Sequence, residues 1–244
     1  MIESLVLGQW LLLVLILVGA YFVRGITGFG SGLIAIPLLA LFLPLSIVVP
    51  LVGLLDYIAS AGHGMHHRRQ VRWAEILVLL PFTLLGVGLA MYLFHTIDGA
   101  ILSKALGAFV LLYALYTLAG MMPRARGSRL WALPAGGVGG VVSGLFGTGG
   151  PFYVIYLQLR QLDKTAFRAT IAMVFLMDGS TRIIAYFATG LYQAQTMILV
   201  AIALPLMVLA MYLGGRVHTN LSPLVFQRGI GVLLIVSGLA LLLR

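Results

Sequence analysis

The sequence predicts an all-α membrane protein made of two inverted-topology repeats, each a glycine-broken helix hairpin followed by three transmembrane helices. Three observations lead there. Hydrophobic residues fill 61% of the 244 positions and charged residues only 9%, and the mean hydropathy of +1.11 lies far above that of a soluble domain. The apolar residues form several runs of about 20, the length that crosses a bilayer at about 1.5 Å per residue, rather than the short alternating segments of a β-barrel. Two glycine-rich stretches, Gly25-Ile-Thr-Gly-Phe-Gly-Ser-Gly32 and Gly144-Leu-Phe-Gly-Thr-Gly-Gly-Pro151, interrupt runs that would otherwise continue as helix.

The first repeat, residues 1–122, opens with an apolar run over 5–23. Glu3 and the lack of a basic leader make it a retained span rather than a cleaved signal. Arg24 and the first glycine stretch follow, then a short apolar arm over 33–43 that Pro44 ends. A span over 46–62 carries Asp56 and Tyr57, and the loop 66–72 carries Arg68, Arg69 and Arg72. Trp73 marks an interface, and spans over 76–94 and 100–121 flank the loop 95–99. A basic linker over 123–129, with Arg124, Arg126 and Arg129, is expected to be cytoplasmic.

The second repeat, 130–244, reaches its glycine stretch within about 14 residues, close to half a bilayer plus interface as helix. A short arm over 152–159 and a basic loop over 160–168 come next, then spans over 169–188, 195–214 and 224–243. The two repeats together make one integral membrane domain.

Overlaying the halves places Gly25, Gly28 and Gly30 on Gly144, Gly147 and Gly149 at an offset of 119 (144 − 25). Pro81 falls on Pro205, Lys104 on Arg228 and Gly107 on Gly231 at an offset of 124 (205 − 81). Internal duplication accounts for both. The basic member of each pair of equivalent loops alternates between the halves, as the positive-inside rule requires of upside-down repeats. The second hairpin is expected to re-enter the face it left, whereas 5–23 is long enough to cross alone.

Composition also excludes functions. The net charge of +9 sits in clusters between apolar runs, so no basic face suits nucleic acid. There is no cysteine, which removes thiol chemistry and disulfides. His63, His66 and His67 have no acid at ligand spacing, so they form a solvated loop end and no metal site is expected. No nucleophile with base and orienter and no nucleotide motif can be assembled, so the chain is not expected to be an enzyme or to need a cofactor.

The pattern G-x-x-G-x-G-x-G early and G-x-x-G-x-G-G-P mid-chain, inside a basic, duplicated, multi-span chain, resembles the sulfite exporter TauE/SafE family. The likeness covers nearly the whole chain, including 25–37 and 140–151, although the first stretch ends Gly-Ser-Gly without a three-glycine tip. It implies a multi-pass transporter of the bacterial inner membrane that moves sulfite, sulfoacetate or a related organosulfonate outward. Its partners would be that anion and the lipid bilayer, with protons as a candidate coupling ion and a homo-oligomer as a candidate assembly.

Broken helices at bilayer depth aim unpaired N–H groups at an anion without a full charge in hydrocarbon. The substrate-binding candidates are therefore Gly25, Thr27, Gly28, Phe29, Gly30, Ser31 and Gly32 at one break, and Gly144, Phe146, Gly147, Thr148, Gly149 and Gly150 at the other, which inverted repeats would bring together at the midplane. The alternative is that these glycines only let helices pack. Arg182 joins the site as a cation. Asp178, four residues away on the same helix face, would orient it or simply pair with it. Arg24, Asp56, Tyr57, His63 and Asp178 are the coupling or gating candidates. Asp56, near His63, suits proton coupling, and Arg24 suits a cavity mouth or a surface anchor. Export of an anion from an inside-negative cell is favoured by about 2.3 kcal/mol per charge per 100 mV. The competing functions are uptake or proton-coupled carriage of another small anion such as a carboxylate, and a non-transporting membrane scaffold.

Overall fold

The computed structural model describes residues 6–28, 30–61, 70–119, 126–217 and 223–243. Phe29, His63, His66, His67, Arg68, Arg69 and Arg124, singled out in the sequence, lie outside these residues. Every regular element described is helical: α1 (Leu7–Thr27), α2 (Ser31–Leu39), α3 (Leu45–Ala61), α4 (Trp73–Thr96), α5 (Gly99–Leu118), α6 (Ala132–Phe146), α7 (Gly150–Leu159), α8 (Lys164–Ala188), α9 (Ala194–Arg216) and α10 (Pro223–Leu243). Among the described residues, α1, α4, α5, α9 and the stretch Thr165–Ala188 of α8 are long and apolar enough to cross a membrane. Their outward faces carry large apolar side chains such as Leu85, Tyr92, Leu112, Ile184 and Phe187, a surface that suits lipid and not water.

Packing divides the chain into two units, Met1–Leu55 with Asp98–Met121 and Tyr192–Arg244, and Asp56–Ile97 with Met122–Leu191. Each unit draws on both halves of the sequence.

In the first unit α1 packs on α9 and α2, and α10 packs on α5 and α2. Backbone contact needs small residues here, because lipid offers no hydrophobic drive for one helix to join another. A Cβ at Gly25 would lie 2.5 Å from the Met211 carbonyl and 3.0 Å from Gly214 Cα. Gly25 is thus interior to α1 and serves the α1–α9 seam. The break comes three residues later, where Gly28 takes the left-handed φ of 84° and donates its N–H to the Arg24 carbonyl. On the α5–α10 seam, Gly107 faces Gly238, Leu241 and Leu242, while Gly231 faces Leu118. Rising numbers on one helix meet falling numbers on the other, so the two helices run antiparallel.

The second unit is built on α4 and α6. Gly136 lies against Leu79 and Thr83, Gly140 against Thr83 and Gly86, and Gly144 against Val87 and Ala90. The numbers rise together, so these helices are parallel, and a glycine every fourth residue on α6 gives one continuous small face. Gly147 ends α6 with φ 65°, donating to the Ser143 carbonyl. The chain then returns as α7, and Gly127 N–H donates to the Leu159 carbonyl at 2.9 Å. The segment leading into α6 and the end of α7 therefore lie side by side, and the first arm of 15 residues spans only about 22 Å.

Helix α8 starts at Lys164, inside what the sequence suggests is a basic loop over 160–168, because the Asp163 carboxylate caps it by accepting from Thr165 and Ala166 N–H. Those two bonds, the one to Ala166 foremost, hold this exposed carboxyl below its ordinary range.

The seam makes a quantitative expectation. Gly140→Ala should lower stability by about 1–3 kcal/mol through forced separation of α4 from α6. Gly88→Ala, whose Cβ meets nothing within 4 Å, should be neutral or slightly stabilising. Thermal unfolding of both variants in detergent checks the contrast.

Candidate functional site

The richest buried polar group of the second unit lies near the middle of α8. Asp178, Arg182 and Tyr186 recur every fourth residue and so share one face. All three are buried. The Asp178 carboxylate accepts from Ser143 Oγ of α6 at 2.6 Å and from Tyr153 OH of α7 at 2.8 Å. Arg182 Nε lies 3.2 Å from Asp178 Oδ2. Tyr186 OH donates to the Gly144 carbonyl at 2.7 Å, satisfying an acceptor in the last turn of α6 that the break leaves without an intrahelical partner.

Two groups here have unused capacity. Arg182 meets Asp178 at ion-pair distance but without hydrogen-bond geometry, and its buried Nη1 has no hydrogen-bond partner among the described residues. Thr148 Oγ1, in the break itself, is also buried without a partner. Buried polar groups normally find partners, so these two side chains stand apart from the rest of the cluster. Thr148 adjoins Gly149, where a Cβ would lie 2.6 Å from Ser143 Cβ. The backbone next to Thr148 thus lies against Ser143, which bonds Asp178, the ion-pair partner of Arg182. At the start of α7, Pro151 has no N–H and the Phe152 N–H donates to the Gly149 carbonyl.

The remaining predicted residues take varied places. Gly150 packs on Phe175, and Phe146 is buried at the end of α6. Tyr57 lays its ring on Gly179 and accepts from Ser180 Oγ at 3.2 Å. Asp56 is half-buried, and its charge acts on Arg182 together with that of Asp178. In the first unit, Arg24 is buried and donates from Nη1 to Ser31 Oγ at 2.9 Å, across the break between α1 and α2. Buried in this way, Arg24 is not a surface anchor. Gly30 begins α2 with φ 98°, Gly32 is buried within α2, and Thr27 Oγ1 bonds the Val23 carbonyl. Gly25 and Gly144 sit in helix seams.

Ser143, Tyr153 and Tyr186 escape the sequence reading. The signal was present for the tyrosines, since a phenol hydroxyl in hydrocarbon needs a partner. A second cluster also escapes it. Glu75, buried in the first turn of α4, accepts from Tyr156 OH at 2.6 Å, from Arg160 Nε at 3.1 Å and from Arg129 Nη2 at 3.2 Å, and Arg160 also bonds the Gly127 carbonyl. It fastens the base of the α6–α7 hairpin to α4.

A family model described as "Sulfite exporter TauE/SafE" matches residues 11–241. A Comamonas testosteroni protein named "Probable inner membrane transporter protein TsaS" is 34% identical over 193 residues, covering 78% of this chain and 81% of its own. A Cupriavidus necator protein named "Probable sulfite/organosulfonate exporter TauE" is 28% identical over 232 residues, covering 92% and 90%. No solved structure gives a significant match.

The Glu75 cluster predicts unequal losses. Glu75→Ala leaves two arginines facing each other and should destabilise by about 3 kcal/mol or more. Arg129→Ala, at a side chain 54% exposed, should cost less than about 1 kcal/mol. Unfolding of the purified variants in denaturant separates the two.

Proposed function

Because the chain belongs to the sulfite exporter TauE/SafE family of membrane transporters, we propose that it is a secondary transporter which exports small sulfur-containing anions, sulfite or an organosulfonate, across the bacterial inner membrane. Arg182 carries this assignment. A buried guanidinium with an unspent Nη1 is the one group of this cluster that supplies both charge and direction to an oxyanion. A sulfite or sulfonate presents three oxygens, enough to engage Arg182 and the Thr148 hydroxyl together. Asp178, held by Ser143 and Tyr153, orients the guanidinium. The buried Arg24 beside its own break gives the first repeat a cation as well.

The substrate class draws support from the words printed for the Cupriavidus necator relative, and the membrane from those for the Comamonas testosteroni one. The excess of arginine near the start of α4 and α6, at Arg72, Arg126, Arg129 and Arg160, is what the positive-inside rule assigns to the cytoplasmic face.

Alternating access would be built on two inverted repeats, 1–122 and 130–244, joined by the linker 123–129. Several pairings support this. At the offset of 124, Gly107 corresponds to Gly231 and Leu118 to Leu242, and the structure pairs Gly107 with Leu242 and Gly231 with Leu118. Such reciprocity is the mark of a twofold relation, and because α5 and α10 are antiparallel, the operation relating them reverses helix direction. The α1–α9 and α4–α6 seams repeat the theme. Gly25 meets Gly214 where Gly144 meets Ala90, and each pair maps onto the other at the two offsets.

Flux of labelled sulfite into proteoliposomes, compared with labelled acetate, tests the substrate. Saturable sulfite flux is expected, and saturation with acetate alone would reject the sulfur-anion assignment. Arg182→Ala should weaken sulfite binding about 10- to 100-fold, the worth of a charge-assisted hydrogen bond, and unchanged affinity would remove Arg182 from the site. Thr148→Val should cause a smaller loss in the same assay.

A further inference from the structure

We propose that Asp178 is a proton site whose protonation accompanies anion binding, so that the substrate takes the carboxylate's place on Arg182 and one proton travels with each monoanion. The inference rests on the anion site proposed at Arg182. Its starting point is a conflict of charge. The guanidinium already faces the Asp178 carboxylate at 3.2 Å and feels Asp56 from α3. An arriving anion would make three negative groups around one cation in a segment of low dielectric, which is untenable unless one negative charge is discharged.

The geometry selects Asp178 for that discharge. Asp56 is half-buried, whereas Asp178 is buried on every side, by α6 through Ser143, by α7 through Tyr153 and by its own helix through Arg182. Once Arg182 turns to the substrate, Asp178 loses its counter-charge and the cost of burial falls on its ionised form. Its two other partners are hydroxyls. Each donates to the carboxylate and can rotate to accept from the carboxylic acid, so both protonation states keep hydrogen-bond partners. The groups facing this carboxyl from the packed elements are Arg182 and Tyr186 on α8, Tyr153 on α7, Ser143 on α6 and, beside Tyr153, Thr83 on α4. The second carboxylate near this group is Asp56 on α3, which acts on the same guanidinium and is half-buried.

A small cavity between α4 and α8 is lined by both Thr83 and Asp178 and otherwise by apolar side chains such as Leu79, Val174 and Met177, while Ser143 and Tyr153 hold the carboxylate from α6 and α7. The charge balance then closes in both states. The empty pair is Arg182 cation with Asp178 anion, and the loaded group is Arg182 cation, substrate anion and neutral Asp178. A monoanion therefore crosses without net charge, and membrane voltage exerts no force on the step.

The test uses methanesulfonate, which stays ionised across the working range, whereas sulfite itself takes up protons near neutrality. Adding methanesulfonate to the purified full-length chain in weakly buffered detergent should cause uptake of about one proton per anion bound, and its affinity should rise about tenfold for each unit of falling pH above the carboxyl's pKa. In proteoliposomes, methanesulfonate flux should follow an imposed pH gradient and ignore a potassium-diffusion potential. Asp178→Asn should abolish proton uptake and the pH slope, and Asp178→Glu should keep both. The unaltered protein's stoichiometry stands as a result even if the Asn variant fails to fold. Anion binding without proton uptake, flux driven by voltage, or proton uptake that survives Asp178→Asn and disappears in Asp56→Asn would each overturn the assignment. Absence of any binding or flux of methanesulfonate and sulfite would instead overturn the Arg182 anion site beneath it.

Discussion

A carboxylate in the middle of a hydrocarbon slab must be answered from all sides, and the second unit is arranged around answering Asp178. Three elements each spend a polar group on it: Ser143 at the end of α6, Tyr153 near the start of α7 and Arg182 one turn further along α8. That requirement ties the broken hairpin to a continuous helix. It also leaves the guanidinium incompletely used, because one carboxylate with two hydroxyl partners cannot meet every donor that Arg182 presents. The structural need for Arg182 and its spare donors thus arise from the same charge.

The glycines divide into two populations with different physics. Gly28, Gly30 and Gly147 hold positive φ and end or begin helices. Gly25, Gly86, Gly136, Gly140 and Gly144 hold ordinary helical positions and exist for their missing side chains. Apart from Gly86 on α4, both populations fall within or beside the same short stretches, so a break and a seam are adjacent in sequence. Where α6 stops, its last carbonyls lose their intrahelical partners, and Tyr186 of α8 supplies one to Gly144.

Much of the helix order was legible in the sequence because length and apolarity are local properties. The span at 46–62 emerges as Leu45–Ala61 and that at 195–214 as Ala194–Arg216. The spacing of Asp178 and Arg182 likewise announced a shared face. Ser143 and Glu75 were not legible, since a serine before a glycine and a glutamate after a tryptophan acquire meaning only when a remote helix delivers a partner. Arg24 left two readings open for the same reason, a cavity mouth or a surface anchor, and only the fold, which buries it against Ser31, removes the anchor. The start of α8 was missed through local chemistry, because five residues of mixed polarity concealed the capping carboxylate of Asp163.

The seam between α4 and α6 limits how this unit can deform. Carbonyls seated against glycine leave no compressible side chain between the two backbones, so the pair behaves as a strut that slides only at the expense of steric collision. Rearrangement is left to the faces where α7 and α8 meet through hydroxyls, a carboxylate and a guanidinium, groups that can trade partners by rotating a bond. Compliance in this unit is therefore concentrated in its polar side chains, and its stiffness belongs to bare backbone.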